Sequence, residues 1–170
     1  MLFYKEEGPW AGAACQFAQA YALEQVQSCV RQLLFVRPGK IVVVDQLTAP
    51  ANRPLPEVQW LLQMPKTPEM EGSSFWTSNG KSWLRCRPLL PGNTKPAIEA
   101  TEVNTSRASL RYKGNTSLRL VHLLETGDGL APQPAAAINV NEKVKGLEVH
   151  LDGAKFLFSN QTPFAITKLE

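Results

Sequence analysis

The sequence predicts an all-β domain, an antiparallel two-sheet β-sandwich of about ten strands. Three observations carry that expectation. Apolar residues recur with a period of two and not with the helical period. Turn-forming residues interrupt the chain roughly every 8 to 12 residues. Thirteen Pro and eleven Gly are spread along it, leaving no long uninterrupted segment for a helix.

In chain order, Cys15, Phe17, Tyr21 and Leu23 share one parity and predict a first strand. Arg31 to Val36 is a dense apolar run that meets the turn Arg37-Pro38-Gly39-Lys40. Ile41 to Leu47 then reads as a β-branched strand buried on both faces as far as Asp45. Together they form a hairpin. After the proline-rich loop 52–56, Val58, Trp60, Leu62 and Met64 alternate with Gln59 and Gln63. Segments 73–78 and 81–88 flank Asn79-Gly80, a dipeptide that favours a type I′ hairpin turn. The stretch 93–115 is polar and weakly patterned, and reads as a partly mobile connection. Leu118, Leu120, His122 and Leu124 alternate with Arg119 and Glu125 up to Gly127-Asp128-Gly129. Segment 132–137 is a low-complexity loop. Leu147, Val149 and Leu151 lead through Asp152-Gly153 into a hairpin return over 155–159.

The chain's 170 residues fit one domain, 1–170, with 44% hydrophobic residues, enough for a core. A net charge of +3 with 19% charged residues is too small to indicate a nucleic-acid partner. No apolar run reaches the roughly 18 residues of a membrane span, and no signal peptide is readable. The closing Leu169-Glu170 is either native or the scar of a cloning site. Cys15, Cys29 and Cys86 are odd in number with no CxxC, and neither His122 nor His150 has a partner at ligand spacing. Disulfides, a metal site and a cofactor are therefore not expected.

One constellation goes further. The run Arg31-Gln-Leu-Leu-Phe-Val-Arg-Pro-Gly-Lys-Ile-Val-Val-Val-Asp45-Gln-Leu, preceded by Ala20-Tyr21 and followed by Trp60-Leu-Leu, resembles the C-terminal β-sandwich of heparinase II/III-like polysaccharide lyases. The resemblance implies a terminal piece of a larger enzyme that degrades polysaccharide by β-elimination. The catalytic residues and metal ligands of that family lie upstream, in an α/α-toroid and the early sandwich, and match no residue here. The implied chain supports the N-terminal catalytic domain, has no activity alone, and is periplasmic or secreted.

β-Elimination needs a base within reach of the sugar C5 proton. Tyr4, Tyr21 and Tyr112 are the available phenols, and none has a histidine in a readable motif. Asp45 closes an apolar strand, either as a functional acid or paired with Arg31 or Arg37 as a structural ion pair. Trp83, Arg85 and Arg87 share a strand face, with Trp76 on the paired strand. Rings that stack on sugars and guanidinium forks that grip carboxylate or sulfate make these four a candidate acidic-polysaccharide platform. The alternatives are an exposed sheet face or one docked on a neighbouring domain. Arg107, Arg111, Lys113 and Arg119 add scattered positive charge, and Asn104-Thr105-Ser106 and Asn115-Thr116-Ser117 match the glycosylation sequon. Three function classes follow: a lyase accessory module, an autonomous carbohydrate-binding module, and a structural sandwich covered by a partner.

Overall fold

The computed structural model describes residues 1–21, 24–92, 94–101 and 105–170. It is all-β and antiparallel. The first strands are β1 (Phe3–Glu7), β2 (Trp10–Gln16), β3 (Ser28–Val36), β4 (Lys40–Thr48) and β5 (Val58–Met64). Then come β6 (Glu69–Glu71), β7 (Ser74–Asn79), β8 (Ser82–Leu90), β9 (Ala97–Ala100) and β10 (Ser106–Tyr112). The last are β11 (Ser117–Asp128), β12 (Ile138–Lys143), β13 (Gly146–Leu151), β14 (Ala154–Ser159) and β15 (Ile166–Leu169).

These fifteen strands build three sheets, where the sequence suggested about ten strands in two. An eight-stranded sheet runs β1-β2-β3-β4-β11-β8-β7-β6, a three-stranded one β5-β10-β9, and a four-stranded one β12-β13-β14-β15. Side-chain parity shows how they stack. On β4, Val42 and Val44 join a core with Leu147, Val149, Phe156 and Phe158 of the four-stranded sheet. Leu47, of opposite parity, joins a second core with Trp60, Met64, Leu110 and Tyr112 of the three-stranded sheet. The eight-stranded sheet is therefore a central layer with one small sheet on each face. Its inner strand β11 is buried on both sides: Leu118 and Leu120 face one core, Val121 and Leu123 the other. That double burial explains why 118–124 is nearly all apolar.

Several local expectations shift. The strand expected from Cys15 to Leu23 lies instead at 10–16, as the second strand after β1, and is followed by a 3-10 turn at Ala18–Ala20; Leu23 falls outside the described residues. Small residues disguised β2. A methyl group on Gly12 would sit 3.2 Å from Ile166, so the last strand leaves no room for larger side chains. The segment 93–115 contains β9 and β10, the latter in register with all of β5. Its alternation is present but carried by Ser106, Ala108, Leu110 and Tyr112, too small and polar at one end to register as a strand. The hairpin β7–β8 turns at Gly80 and Lys81, one residue past the expected pair, with positive φ at Gly80 alone, so it is not type I′. Asp152 and Gly153 both have positive φ and form the expected tight turn.

Candidate functional site

The two faces of the central sheet are covered unequally. One cross-sheet row reads Ala11–Phe35–Ile41–Leu124–Cys86–Phe75, and the next Tyr4–Ala13–Leu33–Val43–His122. At the β11–β8–β7 end these rows run beneath the three-stranded sheet, where Phe75, Cys86 and His122 are buried. Over β1 to β3 no strand among the described residues packs on them, while Val43 on β4 is buried. Leu33 is 37% and Tyr4 60% exposed, and Ala11, Ala13, Cys15, Phe35 and Ile41 are half-buried. The result is an apolar sheet face partly open to solvent, bordered at one corner by the Arg37–Glu6 ion pair. In the sequence Leu33, Phe35 and Ile41 are indistinguishable from core residues, because nothing local says which face of a strand stays uncovered.

A trough of about 260 Å³ lies where this open face meets the edge of β5, lined by Phe17, Tyr21, Cys29, Arg31, Asp45, Trp60 and Leu61 among others. Tyr21, Arg31, Asp45 and Trp60, spread over some forty residues of sequence, thus converge on one place. Arg31 and Asp45 are directly opposed on β3 and β4. The guanidinium donates from Nε to Oδ1 at 2.6 Å and from Nη2 to Oδ2 at 2.8 Å. This is a fork-to-carboxylate pair with Asp45 buried and Arg31 partly open. Asp45 holds the guanidinium pKa up by hydrogen bonding, and the cation also lies 5.9 Å from the Phe17 ring. Burial first, then the neighbouring Cys29 and Asp45, push the Tyr21 phenol upward. It stays protonated at neutral pH and is poorly suited to be a base.

Beneath the trough is a polar cluster inside an apolar core. The Trp60 ring stacks on His122 at 3.9 Å and 15°, and the Tyr112 hydroxyl shares a 2.9 Å hydrogen bond with Nε2. Nδ1 of His122 is buried without a partner among the described residues. Burial chiefly, helped by the charge of Arg31, pushes the imidazole down to about 3, and burial also raises the Tyr112 phenol. Tyrosine, histidine and acid are near one another here, but His122 is 0% exposed, so no substrate proton can reach the pair.

The other sequence candidates lie on the opposite face of the central sheet. Trp76 is directly opposite Arg85 and is partly buried. Trp83 and Arg85 are 6% and 4% exposed, so no open platform forms from them. Arg85 donates to Glu125 at 2.9 Å and to the Gln133 carbonyl at 3.0 Å. Arg87 donates to the Ala136 carbonyl at 2.7 Å and approaches Glu125 at 3.7 Å. Glu125 also accepts from the Ala136 amide at 2.8 Å. This buried arginine–glutamate–arginine cluster straps segment 131–137 across the sheet. A methyl on Gly127 would meet the Trp83 ring at 2.7 Å, so glycine there lets the indole tuck under the strand. The alternation of 118–124 marked Glu125 only as a polar position; its role depends on a loop that folds back onto the sheet. Of the sequons, Asn104 lies outside the described residues and Asn115 is exposed in the bend between β10 and β11.

Among the described residues no three histidine, cysteine or acidic side chains gather as a metal site. No helix is long and apolar enough to cross a membrane.

Sequence searches return no matching family model and no matching curated protein. Solved structures do match. A heparinase III aligns over 98% of this chain with a TM-score of 0.70 and 19% identity. The heparan sulfate lyase HepC from Pedobacter heparinus aligns over 99% with 0.65 and 17%, and a further heparinase III over 96% with 0.57 and 13%. The fold is that of a domain of heparinase III. The chain spans 26–27% of the length of these structures.

Proposed function

We propose that this chain is the β-sandwich module of a heparinase II/III-like polysaccharide lyase. It packs through its open apolar face against the helical catalytic domain of the same polypeptide and contacts the acidic polysaccharide without supplying the base. The single observation that favours this is a full-length fold match to about a quarter of several heparinase chains. A partly uncovered apolar face on the central sheet fits a neighbour in the remaining three quarters. The trough around Arg31 and Tyr21 lies at the rim of that face, where it would border the junction. Export to the periplasm or the medium belongs to the same reading, since a polysaccharide substrate is extracellular.

Two measurements test it. The isolated chain should release no unsaturated uronate from heparan sulfate; turnover, lost in a Tyr21→Phe variant, would overturn the accessory role. In the complete gene product, Leu33→Lys with Phe35→Lys should lower the melting temperature and expose the junction to protease, while the isolated chain melts unchanged. Equal behaviour of variant and wild-type full-length protein would remove the docking face.

A further inference from the structure

The three-stranded sheet has an outer surface that neither core uses. The register pairs Gln59 with Arg111, Leu61 with Ser109 and Gln63 with Arg107 on β5 and β10, and Arg107 with Glu99 on β9. The partners that alternate with them, Trp60, Met64, Ala108, Leu110 and Tyr112, point into the core. This set therefore shares the outward parity, with Ser109, between the two arginines, only 3% exposed beneath its neighbours and its hydroxyl unpartnered among the described residues. Gln59, Gln63 and Arg111 are exposed, and the Arg107 side chain is 39% exposed. Arg107 and Arg111 are four residues apart on one strand, about 14 Å at the usual rise. The two amides stand opposite them at the same spacing.

At one end of this strip is an open cleft of about 550 Å³ lined by Gln63, Met64, Pro65, Thr101, Thr105 and Arg107. Nε of Arg107 is buried there with no hydrogen-bond partner among the described residues. Its Nη2 reaches Glu99 at 2.8 Å, and Arg111 reaches Glu57 at 3.4 Å. Both pairs are at the surface, where such bridges are worth between nothing and about 1 kcal/mol. Either arginine can therefore exchange its glutamate for a ligand carboxylate or sulfate, which a guanidinium fork grips in two places.

We infer that the outer face of β5–β10–β9 is a binding strip for a linear acidic polysaccharide, with Arg107 and Arg111 holding its anionic groups and Gln59 and Gln63 its hydroxyl or amide groups. Among the described residues the strip presents no aromatic side chain for stacked bases and Leu61 is its one large apolar residue, which sets an acidic glycan above single-stranded nucleic acid. This deepens the polysaccharide-contact half of the function proposed above. It moves that contact from Trp76, Trp83, Arg85 and Arg87 to the more exposed side chains of Gln59, Gln63, Arg107 and Arg111.

The test uses the isolated chain and a size-defined heparin oligosaccharide, measured by titration calorimetry over a range of salt. Arg107→Ala with Arg111→Ala should weaken binding at least tenfold and reduce the salt slope by about 2, one for each guanidinium removed. Arg107→Lys with Arg111→Lys keeps the charge but loses the fork, and should give an intermediate affinity in a protein that folds normally. Lys143→Ala with Lys155→Ala removes the same charge from the outer face of the four-stranded sheet and should change affinity less than twofold. Wild-type chain that ignores heparin, a control that weakens as much as the arginine variant, or a single-stranded DNA oligomer that binds as tightly would overturn the strip. None of these outcomes touches the docking test, which reads melting and proteolysis of the complete product.

Discussion

The two faces of the central sheet are built from the same strands and differ in how they are finished. One carries an apolar layer from Trp10 on β2 to Val121 and Leu123 on β11, closed by Leu147, Val149, Phe156, Phe158 and Ile166. The other is closed over β11, β8 and β7 and over the ends of β3 and β4 that carry Cys29 and Leu47. That core admits Trp60, His122, Tyr112 and two cysteines, and beyond it the face reaches solvent at Leu33 and Tyr4. On the closed face each apolar side chain is packed between two layers, the condition for interior-like density. The unfinished face, with its buried histidine and bordering ion pair, is the one that the proposed docking would complete.

Four substitutions sharpen or break that contrast. The largest loss is expected at the closed face: Phe158→Ala should cost about 3–5 kcal/mol in denaturant unfolding. A loss near zero would mean that the four-stranded sheet is not a true layer of the domain. Glu125→Ala should come next, at about 3 kcal/mol, because it leaves Arg85 and the half-buried Arg87 without their carboxylate. Hydrogen exchange should then quicken at the Ala136 amide. Arg31→Ala at the border of the open face should cost about 1–3 kcal/mol by stranding buried Asp45; a variant that melts unchanged would remove the ion pair from the structural account. Smallest is Leu33→Ala on the open face, within about 0.5 kcal/mol in the isolated chain, as for other surface positions.

His122 adds a pH dependence confined to the half-covered face. Its folded pKa of about 3 lies below the ordinary value of 6.5. Between those values the unfolded chain binds a proton that the folded chain refuses, so stability rises with pH across that window. The contribution is fully present above about 6.5 and is lost progressively as pH falls toward 3. His122→Phe, which keeps a ring under Trp60, should flatten the stability profile between pH 4 and 6.5. A profile as steep as wild type would assign the acid sensitivity to other groups.

Much of the local structure was legible. The β3–β4 hairpin, the alternation of β5 and β11 and the Asp152-Gly153 turn all follow from side-chain period and turn chemistry. Strands β2 and β10 were hidden because alanine, glycine and serine fill positions where neighbouring layers come close, and small residues carry little periodic signal. The opposition of Arg31 and Asp45 could be proposed from hairpin register. The burial of Trp83 and Arg85 could not, because the segment that covers them lies some fifty residues later.

The order of residues by itself determined that the chain pairs into antiparallel strands, since a two-residue period and glycine- and proline-rich turns admit little else. Which face of each strand meets another layer, which meets water, and which arginines end up buried was decided only by stacking three sheets. Alternation marks two faces as different but does not say what lies above either one.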